Sequence, residues 1–292
     1  MKKSIIMLTA LLISSAFAMS DLQLGARPQA MGGAFTALAN DANASYYNPA
    51  GLSGCKTGEV MFMHWVFSEV EQVSVDYLAL SYPLQSGALG FAWVRKGATL
   101  EEGINNTEST MSESDLYISY GMKLIDNLSA GMSLKRTSIS SKIGDGSGIG
   151  FDAGIIFRPL KAHNWTLGVA GKNLMTDMKD EMVDPFYSFG TAYSVGFSEN
   201  MHNISVAFDL ITKNDVNEAE GMNVKFATGL EYALSLSDYI FALRGGINSN
   251  AASAGFGIAW NYLAFDYAIV LMSEDTIGDS HKFGIVWKFK RD

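Results

Sequence analysis

The side chains that could carry chemistry are few and scattered. Histidine occurs only at His64, His163, His202 and His281, and no two stand at the spacing that puts a pair of imidazoles on one metal ion. The single cysteine, Cys55, rules out an intrachain disulfide or a thiolate cluster. The run Gly144-Asp145-Gly146-Ser147-Gly148-Ile149-Gly150 is glycine-rich, but it lacks the lysine and the following helix of a phosphate loop. It reads as a flexible hairpin loop. No Gly-x-Ser-x-Gly elbow occurs, so the expectation is a non-enzyme with neither metal nor cofactor. Lys plus Arg number 21 against 30 Asp plus Glu, a net charge of −9, and a nucleic-acid partner is not expected.

The ionisable residues that remain have a pattern. Arg95, Lys123, Lys135, Asp152, Arg158, Lys225, Glu231, Arg244 and Asp266 fall on the polar phase of alternating segments, as do Asp76, Lys172, Asp209 and Lys282. They are expected to line a polar lumen, mostly as structural ion pairs around Asp152, Glu231 and Asp266. The sharper alternative is that the cations guide a carboxylate.

The elements that must position them alternate with period two. Leu116, Ile118, Tyr120, Met122 and Leu124 are interleaved with mostly small or polar residues, as are Ile149, Phe151, Ile155 and Phe157, and then Leu263, Phe265, Tyr267, Ile269 and Leu271. Such alternation specifies strands with one apolar and one polar face. About 14 segments between residues 58 and 290 read this way, including 58–68, 87–96, 113–124, 149–159, 222–234 and 280–290. Most run about 9–13 residues, against about 5–6 for strands of soluble proteins and about 9–11 for tilted membrane strands. Only 17% of the chain is charged and 48% is hydrophobic, with 29 glycines. An inward apolar face would have to crowd its large side chains into one interior, so the apolar face is expected to meet lipid and the small, sparsely charged face a lumen. Links near 84–86, 125–127, 160–164, 198–201, 235–238 and 260–261 are short, whereas 97–112, 141–148, 175–185, 212–221 and 273–279 are mostly long. Short turns on one side and long loops on the other suit an outer-membrane barrel. The even count puts both termini in the periplasm.

The two ends add to this. Residues 1–18 read as a secretory signal: Lys2 and Lys3, an apolar run Ile5–Ile13, then Ala16-Phe17-Ala18. Residues 19–57 are too apolar for a free tail, and Asn48-Pro49-Ala50-Gly51 reads as a turn. This segment is expected to sit as a plug in the barrel formed by 58–292. Near the C-terminus, Gly284, Trp287 and Phe289 resemble the signal that barrel-assembly machinery reads on a last strand.

Gly25-Ala26-Arg27, Met31-Gly32-Gly33-Ala34, Ala39-Asn40-Asp41-Ala42 and Asn48-Pro49-Ala50-Gly51-Leu52 resemble the N-terminal segment of the FadL superfamily, and within it the PorV/PorQ-like branch. The resemblance implies a 14-stranded antiparallel transmembrane β-barrel, all-β, with an N-terminal hatch in the lumen, whose motif residues here are Gly32, Gly33, Asn48, Pro49 and Gly51. It also implies passive uptake across the outer membrane of hydrophobic molecules such as long-chain fatty acids. The alternative it carries is a PorV-like role beside a protein secretion system, with secretion proteins as partners. A porin-like conducting barrel is a third reading.

Overall fold

The computed structural model describes residues 22–67, 72–102, 107–141, 144–159, 164–178, 181–182, 185–199, 201–214, 222–272 and 279–290. The expected leader at 1–18, residues 19–21 and His163 lie outside them.

From residue 58 the chain is strand after strand: β1 (Gly58–Phe67), β2 (Val73–Leu84), β3 (Gly87–Glu102), β4 (Thr107–Ile125), β5 (Leu128–Ser140), β6 (Gly146–Phe157), β7 (Trp165–Met178), β8 (Glu181–Met182), β9 (Phe186–Phe197), β10 (His202–Asn214), β11 (Met222–Leu236), β12 (Tyr239–Asn248), β13 (Ala251–Trp260), β14 (Leu263–Met272) and β15 (Ser280–Phe289). Each long strand pairs antiparallel with its neighbours, and β15 returns to β1 from Gly58↔Phe289 to Phe67↔Ser280. The two-residue β8 only extends the β7 hairpin. The remaining 14 strands form a closed barrel, which leaves no sheet edge open.

Alternation builds the two faces. Ile118, Met132, Ile155, Leu243 and Ile285 point outward and are exposed. Their neighbours Ser119, Ser133, Asp152, Gly154, Ala242 and Gly284 point inward and are mostly buried. A period of two allows no other outcome once one face is fixed. The tight turns obey the same geometry: in the two-residue links after β11 and β13 the first residue, Ser237 and Asn261, takes φ of 53° and 51°, the positive φ that matches strand twist in a two-residue hairpin.

Two expectations need correction. Residues 97–112 are not mostly loop, because β3 and β4 continue to the pair Glu102↔Thr107. That stretch is polar on both phases and threonine-rich, so it carries no two-faced signal although its backbone still pairs. Nor is the inward face polar throughout. On β1 and β2 the buried phase is Met61, Met63, Trp65, Phe67, Val75 and Tyr77, apolar because these side chains pack against the N-terminal segment.

That segment, residues 22–57, lies inside the barrel. It comprises α1 (Ala26–Ala30), α2 (Ala44–Tyr47) and a 3₁₀ turn at Pro49–Gly54. Gly25, Gly32 and Gly33 have φ of 82°, 68° and 87°, a region glycine enters at no steric cost, and they bracket α1 on both sides. Asn48 starts the 3₁₀ turn by accepting the Ala50 N–H at 3.2 Å, with Pro49 pre-set for the first helical position.

Candidate functional site

The barrel wall is recessed where the inner segment touches it. A Cβ added at Gly121 or Gly131 would collide with Pro49, at Gly154 with Asn48, at Gly168 with Thr36, at Gly229 with Met31 and at Gly246 with Gly32. Much of the small-residue surface of the inward face is therefore the footprint of residues 22–57, whereas Gly150, Gly171 and Gly257 make room for other side chains of the wall. The fit is reciprocal. A Cβ on Gly32 would stand 2.7 Å from the Ile247 nitrogen, and one on Gly51 would strike the Ala39 carbonyl. Asn48 Nδ2 donates to the Thr36 carbonyl at 2.9 Å and to the Ile155 carbonyl of the wall at 3.3 Å.

Charge fixes the segment as well as shape. Arg27 donates to both carboxylate oxygens of Glu231, at 2.9 and 3.0 Å, and to Asp41 at 2.8 Å. Glu231 also accepts from Arg244 at 2.7 Å, and Arg244 reaches Asp266 at 2.6 Å. On the adjoining strand β10 one Asp209 oxygen accepts the Phe35 and Thr36 N–H groups at 2.9 and 2.8 Å. Lys172 lies 3.5 Å from the Tyr46 ring centroid and Lys282 3.5 Å from that of Trp65. Lys282 also donates to the Gln23 carbonyl and to Gln29.

Above this packed layer is a cavity of about 240 Å³. Its wall is Tyr46, Tyr47, Trp65, Phe186, Ile211 and Val270, with Asp209, Gln29 and Lys172 as polar points, and Lys213, Lys225, Ser249 and Asn250 nearer the rim of long links. Mostly apolar walls with a few placed polar groups are what a small-molecule site needs. Among the described residues no group of three or more His, Cys, Asp or Glu is placed to hold a metal ion.

The residues expected in the lumen divide. Glu231, Arg244 and Asp266 meet in one network. Lys135 is buried and donates to Asn173, and Asp152 accepts the Asn173 N–H at 2.9 Å; among the described residues Asp152 has this backbone contact in place of the expected ion pair. Lys225 is half-buried at the cavity. Lys123 shares the inward phase but is exposed beside the short turn after β4, and Arg158 lies just past the end of β6. Arg95 is a correction: it is exposed on the outward phase with Phe91 and Trp93, while Lys96 beside it faces inward and binds Glu113 at 2.6 Å. Asp76 also points outward. Two adjacent cations must fall on opposite faces, and Phe91 and Trp93 were the signal that Arg95 shares theirs. The aromatic partners of the buried lysines, Tyr46 and Trp65, carried no sequence signal beyond being apolar. At the C-terminal strand, Gly284 faces the inner segment near Ala26, and Trp287 and Phe289 face outward.

A model of an uncharacterised protein family, UPF0164, matches residues 13–97. No curated protein matches the chain. Among solved structures, the CymD monoaromatic hydrocarbon channel has a TM-score of 0.63 at 12% identity, with 92% of this chain and 98% of that one covered. The Pseudomonas putida toluene transporter TodX gives 0.63 at 12%, covering 90% and 96%. A Pseudomonas aeruginosa FadL homologue gives 0.57 at 11%, covering 89% and 96%. At such identities the likeness is one of fold: a closed, antiparallel 14-stranded barrel.

Proposed function

We propose that the protein is an outer-membrane barrel through which small hydrophobic molecules pass down their gradient, with residues 19–57 as its hatch. The observation that carries this is the aromatic-walled cavity of about 240 Å³ resting on the inner segment. The names of the fold neighbours, channels for toluene and monoaromatic hydrocarbons, support the class of solute. An apolar cavity of about 150 Å³ accommodates benzene, so the site suits a one-ring solute better than an extended fatty-acid chain. In this reading 1–18 is removed as a leader, both termini face the periplasm, and assembly machinery reads Gly284, Trp287 and Phe289.

The test is uptake of toluene and of oleate into vesicles carrying the purified barrel, with glucose as a polar control. Toluene should enter several-fold faster than into empty vesicles and glucose at the empty-vesicle rate. Equal entry of all three would make it a porin. No entry or binding of either hydrophobe, together with stoichiometric co-isolation of secretion-system proteins, would replace uptake by the secretion-partner role.

A further inference from the structure

Among the described side chains, charge on the outward face of the strands is confined to one region. Among the described strand side chains, the formally charged residues on the outward phase are Asp76, Arg95 and Arg136, on β2, β3 and β5. Asp76 stands opposite both His64 and Arg95 in the ladders, and its carboxylate meets His64 Nδ1 at 2.8 Å. Neither Arg95 nor Arg136 makes an ion pair or hydrogen bond with a described residue. Both are exposed.

Their level follows from the register. His64, Asp76, Arg95, Ser114, Ser138 and Ser147 are successive partners across β1 to β6, one continuous polar row. One step toward the short turns the outward residues are Phe62, Leu78, Trp93, Leu116, Arg136 and Ile149; one step the other way, past Val66 on β1, come Ser74, Gly97, Ser112 and Ser140. The row therefore marks where the apolar belt ends, which in a bilayer is the headgroup level. Trp93 sits just below it, its Nε1–H donating to Ser114 at 2.8 Å, as an interfacial tryptophan should.

Arg95 is paired with Ser114 and Arg136 with Leu116, so the two cations flank β4 one side-chain step apart. Two strand spacings of about 4.8 Å and one step of about 6.8 Å put their Cα atoms roughly 12 Å apart, close enough for both guanidinium groups to converge on one anion between them. Arg136 lies between Leu116 and Ile149, on the apolar side of the row. An unpaired arginine there is costly unless its long stem carries the charge up to an anionic group.

We propose that Arg95 and Arg136 form a binding site for the phosphate of an anionic lipid headgroup in the leaflet at the long-link rim. Guanidinium groups match phosphate geometry with paired donors, and the local charge of Asp76, Arg95 and Arg136 is net positive. The inference rests on the barrel being embedded in a membrane and not on the solute it passes.

The experiment is native mass spectrometry of the detergent-solubilised barrel after addition of phosphatidylglycerol or phosphatidylcholine, for the parent chain, Arg95→Gln, Arg136→Gln, the double variant and Arg95→Lys/Arg136→Lys. Folding is checked by the mobility shift of unheated samples on gels, and Lys123→Gln at the opposite rim is the control. Phosphatidylglycerol should be retained preferentially, and each arginine lost should lower that retention about fivefold. Lys123→Gln should not change it, and the double lysine variant should keep part. Undiminished retention by a folded double glutamine variant, or equal retention of the two lipids by the parent, would overturn the proposal. So would displacement by millimolar inorganic phosphate, which would make the ligand free phosphate. A chain soluble without detergent that retains neither lipid would instead sink the membrane reading itself.

Discussion

Glu231 accepts from Arg27 of the inner segment and from Arg244 of the neighbouring strand at once, at 2.9 and 2.7 Å. Its side chain is 9% exposed, so its charge is tolerated only because two cations and their donors surround it. Glu231→Ala leaves two guanidinium groups short of a partner in the lumen. It should lower stability by about 3 kcal/mol, read from urea unfolding in vesicles. Arg27→Ala should cost less, since the Arg27 side chain is 19% exposed and Glu231 keeps Arg244; an equal or larger loss would count against this ranking. Alternation had placed Glu231, Arg244 and Asp266 on one face, because phase is local. It had no means of adding Arg27, which lies 204 residues away from Glu231, because phase specifies a face and not a register. Arg95 shows the same limit: on a strand with charges at both 95 and 96 the nearest aromatics decide the face.

The inner segment is built from helices of five and four residues, far too short to be stable alone. What orders them is the wall, and the wall receives them at glycines. Gly246→Ala would drive a methyl group into the Gly32 backbone, whereas a Cβ at Gly97 meets only the Ser74 hydroxyl at 3.6 Å. Backbone cannot swing aside as a side-chain end does, so Gly246→Ala should loosen residues 22–57 while the barrel still forms. Limited proteolysis from the short-turn side should then cut the segment at least several-fold faster, with Gly97→Ala unchanged; equal cleavage of both would mean that the recesses do not hold it. Strand positions were legible because a half-exposed barrel strand repeats every second residue. The footprint was not: Gly, Ala and Ser on the inward phase mark that something approaches closely, and only the fold shows that Met31, Gly32, Thr36, Asn48 and Pro49 are what approaches.

At the scale of the molecule the question is where a closed ring is weakest. Ladders such as β13–β14 run without interruption from Ala251↔Met272 to Trp260↔Leu263. The ladder between β6 and β7 breaks register twice, between Ile149 and Phe151 and between Phe151 and Ala153. Beside those breaks Asn173 and Met175 hold φ of 56° and 55°, a conformation that costs a non-glycine residue roughly 1–2 kcal/mol. Inside the lumen Asp152 accepts the Asn173 N–H at 2.9 Å, and Lys135 donates to the Asn173 side-chain oxygen. Those two polar contacts stand in for the ladder hydrogen bonds that the bulge forgoes. Opening of the ring should therefore begin at this seam, since fewer backbone bonds must break there and strain is released when they do. In hydrogen exchange of the barrel in micelles, amides of 149–151 and 173–176 should exchange ahead of those in β13 and β14. Asp152→Ala leaves the Asn173 N–H buried without an acceptor, worth about 1–3 kcal/mol, and should speed exchange at the seam by tenfold or more while leaving β13–β14 unchanged. A uniform rise around the whole ring would show that the barrel opens as one cooperative unit and that the bulge is not its point of failure.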